Sequence, residues 1–254
     1  MVIDAHAHIE GAAVEASKKL IMQAVEHYEI ERVYISALEG YTPTEEVVDR
    51  INGATAQFMK EQPRHIGGYV YVSPEHKNAL DVVRRAIEDD GMEGIKLWVS
   101  TYCDDPHVYR IAEWATEEGV PILIHAFYKV FDQLPNETLG RHVRNLALRY
   151  PELKILMAHL GGNCYDGIPP VRDLKNVFVD FSGSIFRAND LNYTVKAVGT
   201  DRIVFGTDMP ISFVDSYGQV LEADLTEQER EKIFYKNAKR LFDRSFRIEK
   251  GGKA

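Results

Sequence analysis

Cysteine is scarce in this 254-residue chain, which carries only Cys103 and Cys164. Two thiols so placed match neither a disulfide framework nor a Cys-based zinc pattern, so they are expected to stay reduced. No apolar run approaches the roughly 18 residues of a membrane span. The opening Met1-Val2-Ile3-Asp4-Ala5-His6 has neither the basic nor the apolar stretch of a secretion leader, and the expected compartment is the cytoplasm. Positive charge is also in deficit: Lys plus Arg is 30 against 39 Asp plus Glu, a net charge of −9. That excludes a general nucleic-acid binder, whose affinity rests on clustered Lys and Arg. A glycine-rich phosphate loop after the first apolar run is missing as well, and with it the usual mark of a nucleotide-binding sheet. What remains is an ordinary soluble composition, 45% hydrophobic and 27% charged. The length suits one α/β barrel.

Short runs rich in Val, Ile and Leu occur at 2–5, 32–36, 66–72, 94–97, 121–124, 154–157, 177–180 and 202–205. They read as strands buried on both faces. Helical patterns separate them, at about 14–29, 43–58, 76–89, 106–118, 136–149, 188–198 and 230–242. Thr42 is the expected N-cap of the second helix, ahead of Pro43. Thr226-Glu227-Gln228-Glu229 forms a capping box for the last. The connection at 167–174 holds Pro169-Pro170, so the sixth helix should be short and irregular. Eight units in strict alternation predict a single (β/α)₈ TIM barrel over residues 1–249, with 250–254 a loose tail. An open doubly wound sheet is the alternative. The segment after the eighth strand, 209–225, reads as the longest loop.

The chemistry gathers at strand ends. His6 and His8, two residues apart, project to one side of the first strand. His125 follows the fifth apolar run, His159 the sixth and Asp208 the eighth. Barrel enzymes place their active groups at that rim, and closure sets the eighth strand beside the first. Imidazoles with one carboxylate suit zinc or a similar divalent ion with a position left for water. A structural hydrogen-bond network is the bland alternative. His27, His65, His76, His107 and His142 read as surface or structural groups.

The runs Ile3-Asp4-Ala5-His6-Ala7-His8, Gly94-Ile95-Lys96-Leu97, Ile124-His125-Ala126, Ala158-His159-Leu160-Gly161-Gly162, Phe205-Gly206-Thr207-Asp208-Met209-Pro210 and Asn237-Ala238-Lys239-Arg240-Leu241-Phe242 occur in an order that resembles the amidohydrolase superfamily. The resemblance is closer to its amidohydrolase-related branch, which contains aminocarboxymuconate-semialdehyde decarboxylase and aromatic-acid decarboxylases. It implies one metal, most often zinc, held by His6, His8, His125 and Asp208, with His159 beside the metal-bound water and Asp208 passing a proton. It also implies a homodimer. Lys96 is either a carboxylated bridge to a second metal, as in binuclear superfamily members, or paired with a barrel carboxylate such as Asp180 or Asp208. Asp180 reads as a partner of a ligand rather than a ligand. Tyr102, Tyr128, Lys129, Phe186 and Arg187 fall in loops that would line a pocket. Lys129 and Arg187 would meet a substrate carboxylate or phosphate, and Tyr128 its apolar body.

Two reactions fit this set. The leading expectation is hydrolysis of an amide, lactone or ester of a small molecule by metal-activated water. The alternative is non-oxidative decarboxylation of an unsaturated or aromatic acid. A nuclease of the type that opens with His-x-His would carry a metal-binding glutamate where Lys96 stands. A catalytically dead barrel used as a binding module would be expected to have lost a ligand. With neither nucleic acid nor membrane as partner, the expected ligand is a small molecule.

Overall fold

The computed structural model describes residues 1–183, 187, 189–210 and 213–246. Its strands are β1 (Ile3–Glu10), β2 (Arg32–Leu38), β3 (Ile66–Tyr71), β4 (Gly94–Leu97), β5 (Ile122–Ile124), β6 (Ile155–Met157), β7 (Val177–Asp180) and β8 (Ile203–Val204). They form one eight-stranded parallel sheet in sequence order. Closure comes from β1 and the residues just past β8. Ala5 N donates to Phe205 O at 2.9 Å, Thr207 N and Asp208 N donate to His6 O at 3.1 and 2.7 Å, and His8 N donates to Met209 O at 2.7 Å. The fold is a TIM barrel.

Ten helices follow in the described residues: α1 (Val14–His27), α2 (Glu45–Glu61), α3 (Ala79–Glu88), α4 (Pro106–Glu118), α5 (Gly140–Arg149), α6 (Cys164–Gly167), α7 (Asp190–Val198), α8 (Phe213–Glu222), α9 (Glu227–Glu231) and α10 (Asn237–Phe242). Thr44, not Thr42, caps α2: its backbone is extended and its hydroxyl accepts from Val47 N at 3.4 Å, leaving Pro43 outside the helix. The capping box at Thr226 and Glu229 forms as expected. The helix it opens continues from α9 through a π turn, Lys232–Lys236, into α10. The sixth connection is irregular, a single turn of α6 followed by a 3₁₀ turn at Pro169–Val171. The segment after β8 is not a plain loop, because α8 occupies most of it. The tail at 250–254, like Phe186, lies outside the described residues.

Two apolar layers hold the barrel. The larger packs the outward strand faces against the helices, burying Val33, Ile35, Val70, Ile122, Ile155, Val177 and Ile203 among others. The smaller is the barrel interior, with Ile3, Ala5, Tyr34, Tyr69, Leu123, Leu156, Phe178 and Val204. On β1, Ile3 and Ala5 belong to the interior while Ala7 and Ile9 belong to the outer layer. A strict period of two cannot give both, and the β1–β2 register does shift between Asp4 and Ala7. A bulge of this kind re-aims the side chains beyond it. It is what turns His6 and His8 inward.

Candidate metal centre

β1 carries His6 to the barrel axis, where the side chain is fully buried. His6 Nδ1 lies 2.9 Å from Asp180 Oδ2. A carboxylate only accepts, so Nδ1 carries the proton and Nε2 a lone pair. His8 Nδ1 lies 3.2 Å from the Ser36 carbonyl and 2.9 Å from Ser36 Oγ. Donation to that carbonyl leaves His8 Nε2 unprotonated as well. The two Nε2 atoms face each other at 3.0 Å. Asp208 Oδ1 stands 3.2 Å from His8 Nε2 and 3.6 Å from His6 Nε2. Two lone pairs and a carboxylate oxygen converging on one point repel unless a cation lies among them. That donor chemistry fits a divalent ion.

The electrostatics agree. Burial, together with the Lys96 ammonium, pushes His6 down to about 3 and keeps it neutral. His8 is lowered for the same two reasons. Burial alone would raise Asp208, but the histidines around it hold its carboxyl well below the usual carboxylate range. Asp180 is likewise opposed by burial, yet His6, His159 and Ser182 hold it low. Lys96 Nζ lies 3.2 Å from His6 Nε2. Its burial lowers the ammonium to about 8 against the pull of Asp208 and Asp180. It stands inside the cluster, in contact with a histidine rather than at a solvent edge.

β6 delivers His159. Its ring Nδ1 is 3.1 Å from the Ser182 carbonyl and its backbone N donates to Asp180 Oδ1 at 3.0 Å. Ser182 Oγ donates to the same Asp180 oxygen at 2.6 Å. Asp180 therefore contacts both His6 and His159. His159 and Leu160 have φ of +60° and +49°, and Asp208 has +59°. Each such left-handed non-glycine residue costs about 1–2 kcal/mol. Three of the six such residues among those described lie at this site. Gly183 is required here for space: with φ of +113°, a Cβ on it would meet His159 Nδ1 at 2.9 Å.

β5 brings His125 to the same rim. Its Nδ1 lies 3.2 Å from His159 Nε2 and its Nε2 lies 2.9 Å from Glu137 Oε1. Burial lowers it to about 4. It stands beside two groups of converging donors, His6–His8–Asp208 and His6–His159–Asp180, and belongs to neither.

A cavity of about 500 Å³ opens over these residues, lined by His8, His125, His159 and Asp208 with Ile9, Glu10, Leu38, Glu39, Trp98 and Pro210. Trp98 lines it, whereas Tyr102 and Tyr128 are not among its described lining residues. Tyr128 borders a different hollow with Leu139, Arg141 and Asp166. Lys129 Nζ binds Glu137 Oε1 at 2.8 Å. Arg187 lines a separate cavity with Asn189, Asn192 and Gln219. Tyr102 packs at a tilt against His142, which accepts from Leu139 N. Sequence reasoning missed Glu137, Ser182 as a bridge, and the cavity walls Glu10 and Glu39. A carboxylate in a loop carries no periodic signal, and only the fold reveals that Glu137 is buried.

The fold and this centre define an enzyme built on a (β/α)₈ barrel. A family model described as amidohydrolase matches residues 3–244, and the chain belongs to that family. Among curated proteins it is 25% identical over 262 residues to a γ-resorcylate decarboxylase of Polaromonas sp. (strain JS666 / ATCC BAA-500), covering 82% of this chain and 79% of that protein. It is 31% identical over 147 residues to a γ-resorcylate decarboxylase of Rhizobium radiobacter, covering 49% and 45%. A solved dihydroxybenzoic acid decarboxylase from Polaromonas sp. JS666, holding manganese and 2-nitroresorcinol, shares the fold with a TM-score of 0.75 at 18% identity, over 95% of this chain and 96% of that one. These relatives overturn the expectation of hydrolysis. They cleave a carbon–carbon bond, and a metal, two histidines and a carboxylate serve either chemistry, so the motif could not separate the two.

Proposed function

We propose that this protein is a metal-dependent, non-oxidative decarboxylase of a small aromatic carboxylic acid. The observation that carries the reading is the convergence of His6 Nε2, His8 Nε2 and Asp208 Oδ1 beneath a cavity walled by Ile9, Leu38 and Trp98 together with Glu10 and Glu39, in a chain whose curated relatives are γ-resorcylate decarboxylases. His6, His8 and Asp208 would hold the ion, with His125 as a fourth ligand. When bound, a divalent ion would supply positive charge that orients an anionic substrate and offsets its negative charge.

The net change is Ar–CO₂⁻ + H⁺ → Ar–H + CO₂. A proton is added at the ring carbon bearing the carboxylate, and the carbon–carbon bond then breaks with its electron pair restoring the ring. His159 is the residue for that proton. Its Nδ1 is committed to Ser182 O, which leaves Nε2, 3.2 Å from His125 Nδ1, as the atom at which a proton would be held and released. Asp208, close enough to His159 to feel its charge, steadies the protonated ring. Trp98, Ile9 and Leu38 bury the aromatic face and keep water from the reacting carbon.

The test is direct. The protein, loaded separately with zinc and with manganese, is incubated with γ-resorcylate in ¹⁸O-labelled water. CO₂ release, with the arene as product and no solvent oxygen incorporated into it, is the expected result, and the ion giving the higher turnover identifies the working metal. Turnover of simple lactones or anilides with ¹⁸O in the product, and no CO₂ from any hydroxybenzoate, would overturn the reading.

A further inference from the structure

Glu137 has no function in the chemistry described so far, yet it is among the most constrained side chains of the molecule. It lies in the loop between β5 and α5, with its side chain 1% exposed. Oε1 accepts from His125 Nε2 at 2.9 Å and from Lys129 Nζ at 2.8 Å. Oε2 accepts from Gln133 Nε2 at 2.6 Å and from Leu134 N at 3.3 Å. A carboxylate taken this far out of water is costly unless every lone pair is used, and here each oxygen has two donors.

The consequence falls on His125. An imidazole carries one proton when neutral, and a carboxylate partner fixes which nitrogen bears it. With Nε2–H given to Glu137, Nδ1 is left as the lone-pair nitrogen, and Nδ1 is the atom 3.2 Å from His159 Nε2. Phe127, stacked on the His125 ring at 5.9 Å between centroids, restricts its rotation.

We propose that Glu137 is the positioning residue of this site, holding His125 in the Nε2–H tautomer so that Nδ1 is the nitrogen offered to the cavity and its ion. Lys129 and Gln133 are the counter-donors that keep the carboxylate charged and aimed, so the loop from Phe127 to Glu137 is a brace for one imidazole. The inference rests on the metal-site reading above but not on the substrate.

The experiment uses ¹⁵N-histidine-labelled full-length protein, with the His125 signals assigned by their loss in His125→Gln. In the wild type, metal-free, His125 should show a protonated Nε2 and an unprotonated Nδ1, and loading with ¹¹³Cd²⁺ should couple the cadmium to Nδ1. A protonated Nδ1, or coupling through Nε2, overturns the proposal with no variant needed. In Glu137→Ala the single tautomer should be lost and Cd²⁺ affinity, by calorimetry, should fall at least about tenfold, the usual effect of removing such a partner. Glu137→Gln, whose amide oxygen still accepts from Nε2–H, should keep the tautomer and recover most of the affinity. An unchanged His125 spectrum and affinity within twofold in Glu137→Ala would overturn the assignment. Because neither readout involves turnover, failure of the decarboxylase reading would leave these results intact, and the reverse holds equally.

Discussion

The two ends of the barrel interior are filled in opposite ways. Toward the amino ends of the strands the filling is aromatic and aliphatic. Tyr34 stacks on Phe242 of α10 at 3.5 Å between centroids, Tyr69 approaches both, and Phe178, Leu123 and Leu156 close the layer. The polar atom of Tyr69 is used up by donation to Ala5 O at 2.6 Å. Toward the carboxyl ends the same axis holds His6, Lys96 and Asp180, each fully buried. One end is stable by dispersion and exclusion of water. The other is polar throughout, tolerable only because nearly every nitrogen and oxygen has an assigned partner. The contrast teaches that this barrel stores its stability and its chemistry at different heights, separated by about one layer of side chains.

The sharpest way to break that comparison is to remove a converging donor. Asp208→Ala and His6→Ala should each bring turnover to background and abolish stoichiometric metal by elemental analysis, with far-ultraviolet circular dichroism kept. Full occupancy in either would refute the metal centre. At the other end, Phe178→Ala should cost about 3–5 kcal/mol in a urea titration, while the folded fraction still takes up one ion per chain. Loss of the ion there would mean that the two ends are one cooperative unit. Stripping the metal from the wild type by chelation should cost about 2.7 kcal/mol relative to protein held at a hundredfold excess of ion over its dissociation constant. The same decrement should appear in Phe178→Ala if the two layers act independently. Smallest of all, Tyr69→Phe should lose about 1 kcal/mol for its hydrogen bond to Ala5, with metal affinity and kcat/KM unchanged.

Much of the barrel was legible because parallel strands advertise themselves. β4 and β7 match their apolar runs, and His125, His159 and Asp208 stand one, two and three residues past theirs. What escaped was whatever depends on a partner distant in sequence. β1 runs on to Glu10 because the His pair is paired to both β2 and the β8 segment, and no local pattern announces the bulge within it. α8 was hidden inside a stretch read as a loop. Thr42 and Thr44 both flank Pro43, and only backbone geometry shows which one caps. Lys129 looked free in sequence, whereas a buried glutamate eight residues on claims it. Bond-breaking selectivity was the least legible feature, since it turns on electron flow over a shared set of donors.

The seam between β1 and the residues after β8 has a further consequence. Asp4, deep in that seam, accepts from Thr207 Oγ1 at 2.5 Å and from the backbone of His6 and Thr207, so residues some two hundred positions apart are sewn together beside the His6–His8–Asp208 cluster. During synthesis, no nascent polypeptide still lacking Asp208 outside the ribosomal tunnel can assemble this trap. A chain that takes its ion at His6, His8 and Asp208 would therefore do so only after the ring is complete.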